Sequence, residues 1–298
     1  MNSASAFDLQ AHRGGRGLTP ESTLAGFRNA ISLGVTTLET DLAVTKDDVL
    51  VLSHEPRLNP DLVRGPDGKW LEGVGPTIHS LTLAELKTYD IGRLNPATQY
   101  GTQFPGQKPA DGERFPTLAE LYAMGGPDVR FNIETKIDPT KPDETVDPKR
   151  FARLVVDAIR AAKMERRTTI QSFDWRTLIE THRIAPEIET VCLTIESRDM
   201  NTVAGKPSPW LAGLDVSHGG SLQQLVKAAG CSAWSPFWRN VTPLNVTAAH
   251  RLDLNVIPWT VNTPADMAAV IDLKVDGLIT DYPDRGLVVL AQKGLKPR

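Results

Sequence analysis

Only two cysteines occur in 298 residues, aromatic residues make up just 6%, and neither sign of charge dominates. Each shortage excludes something. Cys192, in Val191-Cys192-Leu193, and Cys231, in Gly230-Cys231-Ser232-Ala233, sit in apolar surroundings and read as small core residues. They are too few for a disulfide framework or a cysteine zinc site. Lysine and arginine total 33 against 36 acidic residues, so the net charge of -3 provides no basic field for nucleic acid or an anionic membrane. No stretch approaches the roughly 20 apolar residues of a membrane span, so no stable membrane anchor is expected. Residues Met1 to Ala6 have neither a positive n-region nor an apolar h-region. As it stands the sequence therefore reads as cytoplasmic; a signal removed beforehand would make it periplasmic.

What is present is enough apolar material, 40% of residues, to bury a large core. Short β-branched runs alternate with helical periodicity from end to end. Strands are expected at Asp8–His12, Thr36–Val44, Arg130–Lys136, Thr168–Phe173, Thr190–Ile195, Ala233–Pro236, Val256–Val261 and Gly277–Asp281. A capping residue followed by proline recurs at Thr19-Pro20, Asp147-Pro148, Thr242-Pro243 and Thr263-Pro264, each read as the start of a helix. The plainest helix runs from Pro148 to about Met164, with Phe151, Leu154, Val155, Ala158, Ile159 and Ala162 on one face. Eight strand–helix units imply a parallel sheet, closed at this length as a (β/α)8 TIM barrel, with an open doubly wound sheet as the runner-up. We expect one catalytic domain over residues 1–298. After Val44, a polar turn and the run Val49–His54 predict a hairpin arm that returns His54 toward Asp41. Residues 55–115 are rich in Pro, Gly and Asp and too long for an ordinary connection, so they are read as an inserted lobe over the barrel mouth.

The side chains suited to chemistry fall at strand ends. Glu39 and Asp41 alternate on one strand, so both point inward while Leu38, Thr40 and Leu42 point out. Buried side by side, two anions call for a cation. In Asn132-Ile133-Glu134-Thr135-Lys136 the inward face carries an amide, a third carboxylate and an amine. Three carboxylates without cysteine make an oxygen-rich site suited to one divalent cation, Mg²⁺ or Ca²⁺. His12 and His54 converge on this cluster, and a pair of imidazoles is what phosphate ester cleavage needs, one to take a proton and one to give it. Arg13 and Lys136 supply fixed positive charge for a phosphoryl group. His79, His182 and His250 are read as structural, and His218 is a weaker candidate that is set aside. The Gly14-Gly15-Arg16-Gly17 loop lacks the ending of a P-loop and the spacing of a dinucleotide fingerprint.

Taken together, His12-Arg13-Gly14, Pro20-Glu21, Glu39-x-Asp41, Val51-Leu52-Ser53-His54, Asn132-x-Glu134-x-Lys136, Gln171-Ser172-Phe173, Pro258-Trp259-Thr260-Val261-Asn262 and Thr280-Asp281-Tyr282-Pro283 resemble the glycerophosphodiester phosphodiesterases. The likeness spans nearly the whole chain. It implies a barrel of the phosphatidylinositol phospholipase type that hydrolyses a small-molecule glycerophosphodiester to glycerol 3-phosphate and an alcohol. It also implies that His12 and His54 are the acid/base pair, that Glu39, Asp41 and Glu134 hold the metal, and that Arg13 and Lys136 contact phosphate. Phe173 and Trp259 would line the apolar side of the pocket, and Asp281 would position substrate or cap the last helix. Two departures are Ser22, where the family usually has asparagine, and Glu55, where aspartate is usual. Ser22 is expected to keep hydrogen-bonding, and Glu55 to keep the charge on a longer arm.

Two other readings share the barrel. A phosphodiester lyase stops at a cyclic phosphate, and its toxin-like members tend to be secreted and disulfide-bonded, traits not evident in this sequence. A non-catalytic phosphate ester binding protein would be expected to have lost a histidine or a carboxylate, and this chain keeps them all.

Overall fold

A computed structural model describes residues 6–205, 207–215 and 220–298. Eight parallel strands form the barrel: β1 (Ala6–Ala11), β2 (Thr37–Val44), β4 (Arg130–Thr135), β5 (Thr168–Ser172), β6 (Glu189–Thr194), β7 (Ala233–Pro236), β8 (Asn255–Val256) and β9 (Gly277–Thr280). Each pairs with the next from β1 through β8, and β9 pairs back onto β1. The seam between β8 and β9 is bridged by Asp276 N–H to Val256 O, Ile279 N–H to Pro258 O and Val261 N–H to Ile279 O. The fold is therefore the expected (β/α)8 barrel. A short β10 (Lys296–Pro297) adds beside β1 at the bottom.

The antiparallel arm is β3 (Leu50–Leu52), registered Leu42 to Leu52 and Val44 to Leu50. Ser53 N–H then bonds Asp41 O at 3.0 Å, which brings His54 back toward Asp41. Beyond it, residues 53–117 are mostly irregular. They contain α2 (Leu83–Leu86) and a small apolar core of their own, in which Leu58, Val63, Ile78, Leu86, Ile91 and Phe115 pack with Ala43 and Val51 of the hairpin. This segment also grips the loop after β1, through Lys108 N–H to Leu18 O and Gln107 Nε2 to Arg16 O.

The outer helices are α1 (Leu24–Ser32), α3 (Leu118–Met124), α4 (Pro148–Ala162), α5 (Trp175–Ile184), α6 (Leu222–Ala228), α7 (Pro243–His250), α8 (Pro264–Asp272) and α9 (Pro283–Gln292). In α4 the predicted stripe buries Phe151, Val155 and Ile159 against the sheet, worth roughly 1.5–3 kcal/mol per side chain. Asp147, Thr242 and Thr263 cap their helices ahead of proline as the sequence predicts. Thr19-Pro20 does not. There the chain makes a turn, and Thr23 caps α1 by accepting from Gly26 N–H. Two further constraints delay the helix: Arg13 and Ser22 both adopt left-handed backbone, and the loop between them must bend around the site.

The cysteines also require correction. Cys192 on β6 and Cys231 just ahead of β7 are joined in a disulfide, with Cα atoms 6.0 Å apart. The two strands are neighbours, registered Val191 to Ala233, so a separation of 39 residues in sequence becomes a side-by-side contact that local apolar context does not reveal. One of the two traits weighed against the lyase reading is thus present. Among the described residues no helix is long and apolar enough to cross a membrane.

Inside the barrel the side chains divide by sector. Val191, Ala233, Ile257 and Ile279 form an apolar cluster on the β6 to β9 side. Gln10, Glu39, Asp41, Asn132, Glu134 and Gln171 occupy the β1 to β5 side, all buried.

Candidate active site

At the C-terminal ends of these strands lies a cavity of about 110 Å³ lined by His12, Arg13, Arg16, Glu39, Asp41, His54, Glu134, Lys136, Gln171, Phe173, Leu193, Trp259, Thr260 and Ile279. All nine residues singled out from the sequence line it together. Strand register explains the carboxylates: Asp41 and Glu134 are direct partners on β2 and β4, and Glu39 lies two residues back on the same inward face. Their candidate ligand oxygens lie within 4.8 Å of one another.

Such crowding has an electrostatic consequence. Burial and then the neighbouring Asp41 charge push the Glu39 carboxyl well above its ordinary range. Burial raises Glu134 to about 7, with Lys136 opposing and Asp41 adding to the rise. Asp41 is also pushed up by burial, but Arg13 and Lys136 outweigh that and hold it low. Its Oδ2 is buried and has no hydrogen bond, although Arg13 Nε stands 3.2 Å away. Three hard oxygen donors, one of them unsatisfied, fit a divalent cation such as Mg²⁺ or Ca²⁺.

Two imidazoles face this cluster. His12 follows β1, and its Nδ1 lies 2.5 Å from Asp281 Oδ1 while its Nε2 points toward Glu39, 4.0 Å away. Burial lowers its pKa, Asp281 works against that, and Arg16 and Arg13 add to the lowering. Asp281 thus anchors His12; it does not cap α9, whose N-cap has no side-chain hydrogen bond. Asn262 steadies the same carboxylate by donating Nδ2 to Asp281 Oδ2 at 2.7 Å. Half-buried His54 has its Nδ1 2.7 Å from Glu55 Oε1. Burial, then Arg13 and Lys136, hold it well below its ordinary value. Each imidazole therefore has a carboxylate at Nδ1, and each lines the cavity.

The cations are held by more than one anion. Arg13 donates from Nη1 to Glu21 Oε1 at 2.8 Å, and its backbone N–H donates to Glu39 Oε2 at 3.0 Å. Lys136 Nζ lies 2.9 Å from Glu134 Oε1, 3.8 Å from Asp41 Oδ1 and 5.8 Å from the centre of the Phe173 ring. Phe173 meets Trp259 edge to face with ring centres 5.3 Å apart, and Trp259 is fixed by donation from Nε1 to Ser235 O. These two rings form an apolar part of the cavity lining.

Sequence reasoning assigned no role to three participants. Arg16 lines the cavity and donates from Nε to Asp281 Oδ1 at 2.7 Å and from Nη1 to Tyr100 OH at 2.9 Å. Tyr100 in turn donates to Glu21 Oε2. Gln171 donates from Nε2 to Glu39 Oε1 at 2.7 Å. The position of Arg16 in a glycine-rich loop was a usable signal, whereas Tyr100 arrives from the 53–117 segment with no local pattern to announce it. Ser22 differs from expectation: its hydroxyl is buried with no hydrogen bond. His218 lies outside the described residues.

Glu21 provides a test of this outer ring. Burial pushes its pKa up, but Arg13 and then Arg16 reverse the shift, so the folded value lies below the ordinary 4.5. A depressed carboxylate stabilises the fold above its unfolded value, and that contribution is lost as pH falls through the folded one. Glu21→Gln should cost about 1.5–3 kcal/mol near neutrality. The gap to the unmodified protein should narrow in acid, as read from urea unfolding at about pH 7 and about pH 3. A constant gap would detach Glu21 from the acid sensitivity.

Residues 12–285 match the model of the glycerophosphoryl diester phosphodiesterase family. The chain is 30% identical over 285 residues to a glycerophosphodiester phosphodiesterase of Caldanaerobacter subterraneus subsp. tengcongensis, covering 95% of this chain and 97% of that one. The crystal structure of a protein from Silicibacter pomeroyi DSS-3, assigned to the same class, aligns with a TM-score of 0.88 and 34% identity, over 99% of this chain and 96% of the other. A phosphodiesterase of Oleispira antarctica, solved with its product sn-glycerol-3-phosphate, shares the fold at a TM-score of 0.68 and 20% identity, over 95% and 96% of the two chains.

Proposed function

The chain belongs to the glycerophosphoryl diester phosphodiesterase family, and from that premise we propose that it hydrolyses glycerophosphodiesters to glycerol 3-phosphate and an alcohol by two-histidine acid/base catalysis at a divalent metal site. The observation that carries this reading is the meeting of two carboxylate-anchored imidazoles with a three-carboxylate cluster in one cavity.

Glu39, Asp41 and Glu134 would hold the cation. When bound, it supplies Lewis-acid polarisation of a phosphoryl oxygen. Lys136 and Arg13 keep positive charge beside the place where the phosphate must sit, and Phe173 and Trp259 form the wall against which a glycerol or alcohol carbon skeleton packs. At His12 the Asp281 carboxylate accepts from Nδ1–H, which leaves Nε2 directed at the cavity. At His54 the Glu55 carboxylate lies at Nδ1, and the ring likewise lines the cavity. One ring takes the proton of the attacking hydroxyl and the other gives one to the leaving oxygen. Water and the glycerol 2-hydroxyl can both be that nucleophile with the same residues.

The product decides between hydrolysis and the lyase reading. Glycerol diesters of choline, ethanolamine, glycerol and inositol, each followed by phosphorus NMR, should give glycerol 3-phosphate as the final product, and the relative rates rank the alcohols. Accumulation of a cyclic phosphate as the end product would assign the chain to the lyases. No turnover of any of the four would favour the binding-protein reading.

A further inference from the structure

Beneath the cavity, a line of buried polar side chains that the hydrolysis does not use runs down the barrel axis to its opposite end. Asp8, at the start of β1, accepts on both oxygens, from Thr37 Oγ1 at 2.6 Å and from Gln10 Nε2 at 2.9 Å. A carboxylate can only accept, so Gln10 must turn its amide nitrogen down toward Asp8 and its oxygen up. That oxygen accepts from Asn132 Nδ2 at 2.8 Å, and the same nitrogen donates a second time, to Gln171 Oε1 at 2.9 Å. Asn132 Oδ1 is occupied by the Thr169 hydroxyl at 3.0 Å. With its oxygen committed to Asn132, Gln171 has only its Nε2 left to present to Glu39 Oε1, and it does so at 2.7 Å. Three amides that could each point either way are thus forced into one direction by a carboxylate at the far end of the barrel.

We infer that Asp8, Gln10, Asn132 and Gln171 form a positioning relay, whose fixed polarity aims a donor at Glu39 and holds that carboxylate in the orientation needed to ligate the cation. This rests on the reading of Glu39, Asp41 and Glu134 as the cation site. The reason for a relay is local: Glu39 lies deep in a crowded anionic cluster, and an acceptor in place of the Gln171 amide nitrogen would repel it. Groups behind metal ligands typically set affinity by about ten- to a hundredfold. Asp8, Gln10 and Asn132 lie outside the cavity lining, and Gln171 reaches it with its amide on Glu39, so the relay acts through that carboxylate.

Asn132→Asp tests the polarity, because it keeps the shape and replaces both donated hydrogen bonds by acceptors. Gln171 must then reverse and turn its oxygen on Glu39. Mg²⁺ and Ca²⁺ binding to the chelator-treated full chain, followed by titration calorimetry without substrate, should weaken by at least about tenfold in Asn132→Asp. A simple charge account predicts the reverse, since an added anion near the site attracts the cation. Should Asn132→Asp misfold, Asn132→Leu and Gln171→Leu carry the test: each should lose at least about tenfold, and the double variant should bind no more weakly than Gln171→Leu alone. Unchanged or tighter binding in the single variants, or additive losses in the double variant, would overturn the relay. Failure of the unmodified protein to bind either ion would instead remove the cation site, and the relay with it.

Discussion

His12→Ala is expected to lower turnover of a glycerophosphodiester by about a hundredfold to ten-thousandfold, and His54→Ala to do the same. The proposal gives each imidazole a proton to move, and among the described residues no third imidazole lines the cavity. Removing His12 leaves Asp281 still paired with Arg16 and Asn262, so the buried carboxylate is not stranded and the fold should survive. His54 is half-buried, and its loss frees Glu55 to solvent. Both variants should therefore unfold near the temperature of the unmodified protein and keep KM within a few-fold, placing the loss in kcat. A near-normal rate in either variant removes that histidine from the mechanism. A loss confined to KM would make it a substrate contact instead.

Asp41→Asn should be as damaging by a different route. Asp41 is the lowest-lying carboxyl of the cluster because Arg13 and Lys136 flank it, and it carries the unsatisfied oxygen. The amide keeps the shape but removes the charge that balances both cations. Ion affinity should fall, and turnover at subsaturating Mg²⁺ or Ca²⁺ should drop by about a thousandfold, equivalent to losing several kcal/mol of transition-state stabilisation. Activity measured against rising ion concentration checks this. Wild-type kinetics at low ion concentration would take Asp41 out of the ligand set.

The barrel was legible because its strands carry a face pattern that local chemistry alone explains: Glu39 and Asp41 inward, Leu38, Thr40 and Leu42 outward on β2. The inward residues were readable for the same reason. Partnerships across the barrel were not. Nothing near Cys192 points to Cys231, because only the β6–β7 register joins them. Asp281 could be placed at a strand end, yet its bond to His12 spans 269 positions and needs the closed ring. Arg16 and Tyr100 meet through a segment with little regular structure, where periodicity gives no guide. The Thr19-Pro20 pattern misled because a capping signal says nothing about a loop held in left-handed backbone by the site it encloses.

The central claim is that a divalent cation on Glu39, Asp41 and Glu134 works with His12 and His54 to split the diester. The most direct measurement follows glycerol 3-phosphate formation by phosphorus NMR in protein stripped with a chelator, then in the same sample supplied with Mg²⁺ or Ca²⁺. The account predicts no product from the stripped protein and recovery of glycerol 3-phosphate once either ion is added. Formation of that product at an undiminished rate after chelation would contradict it.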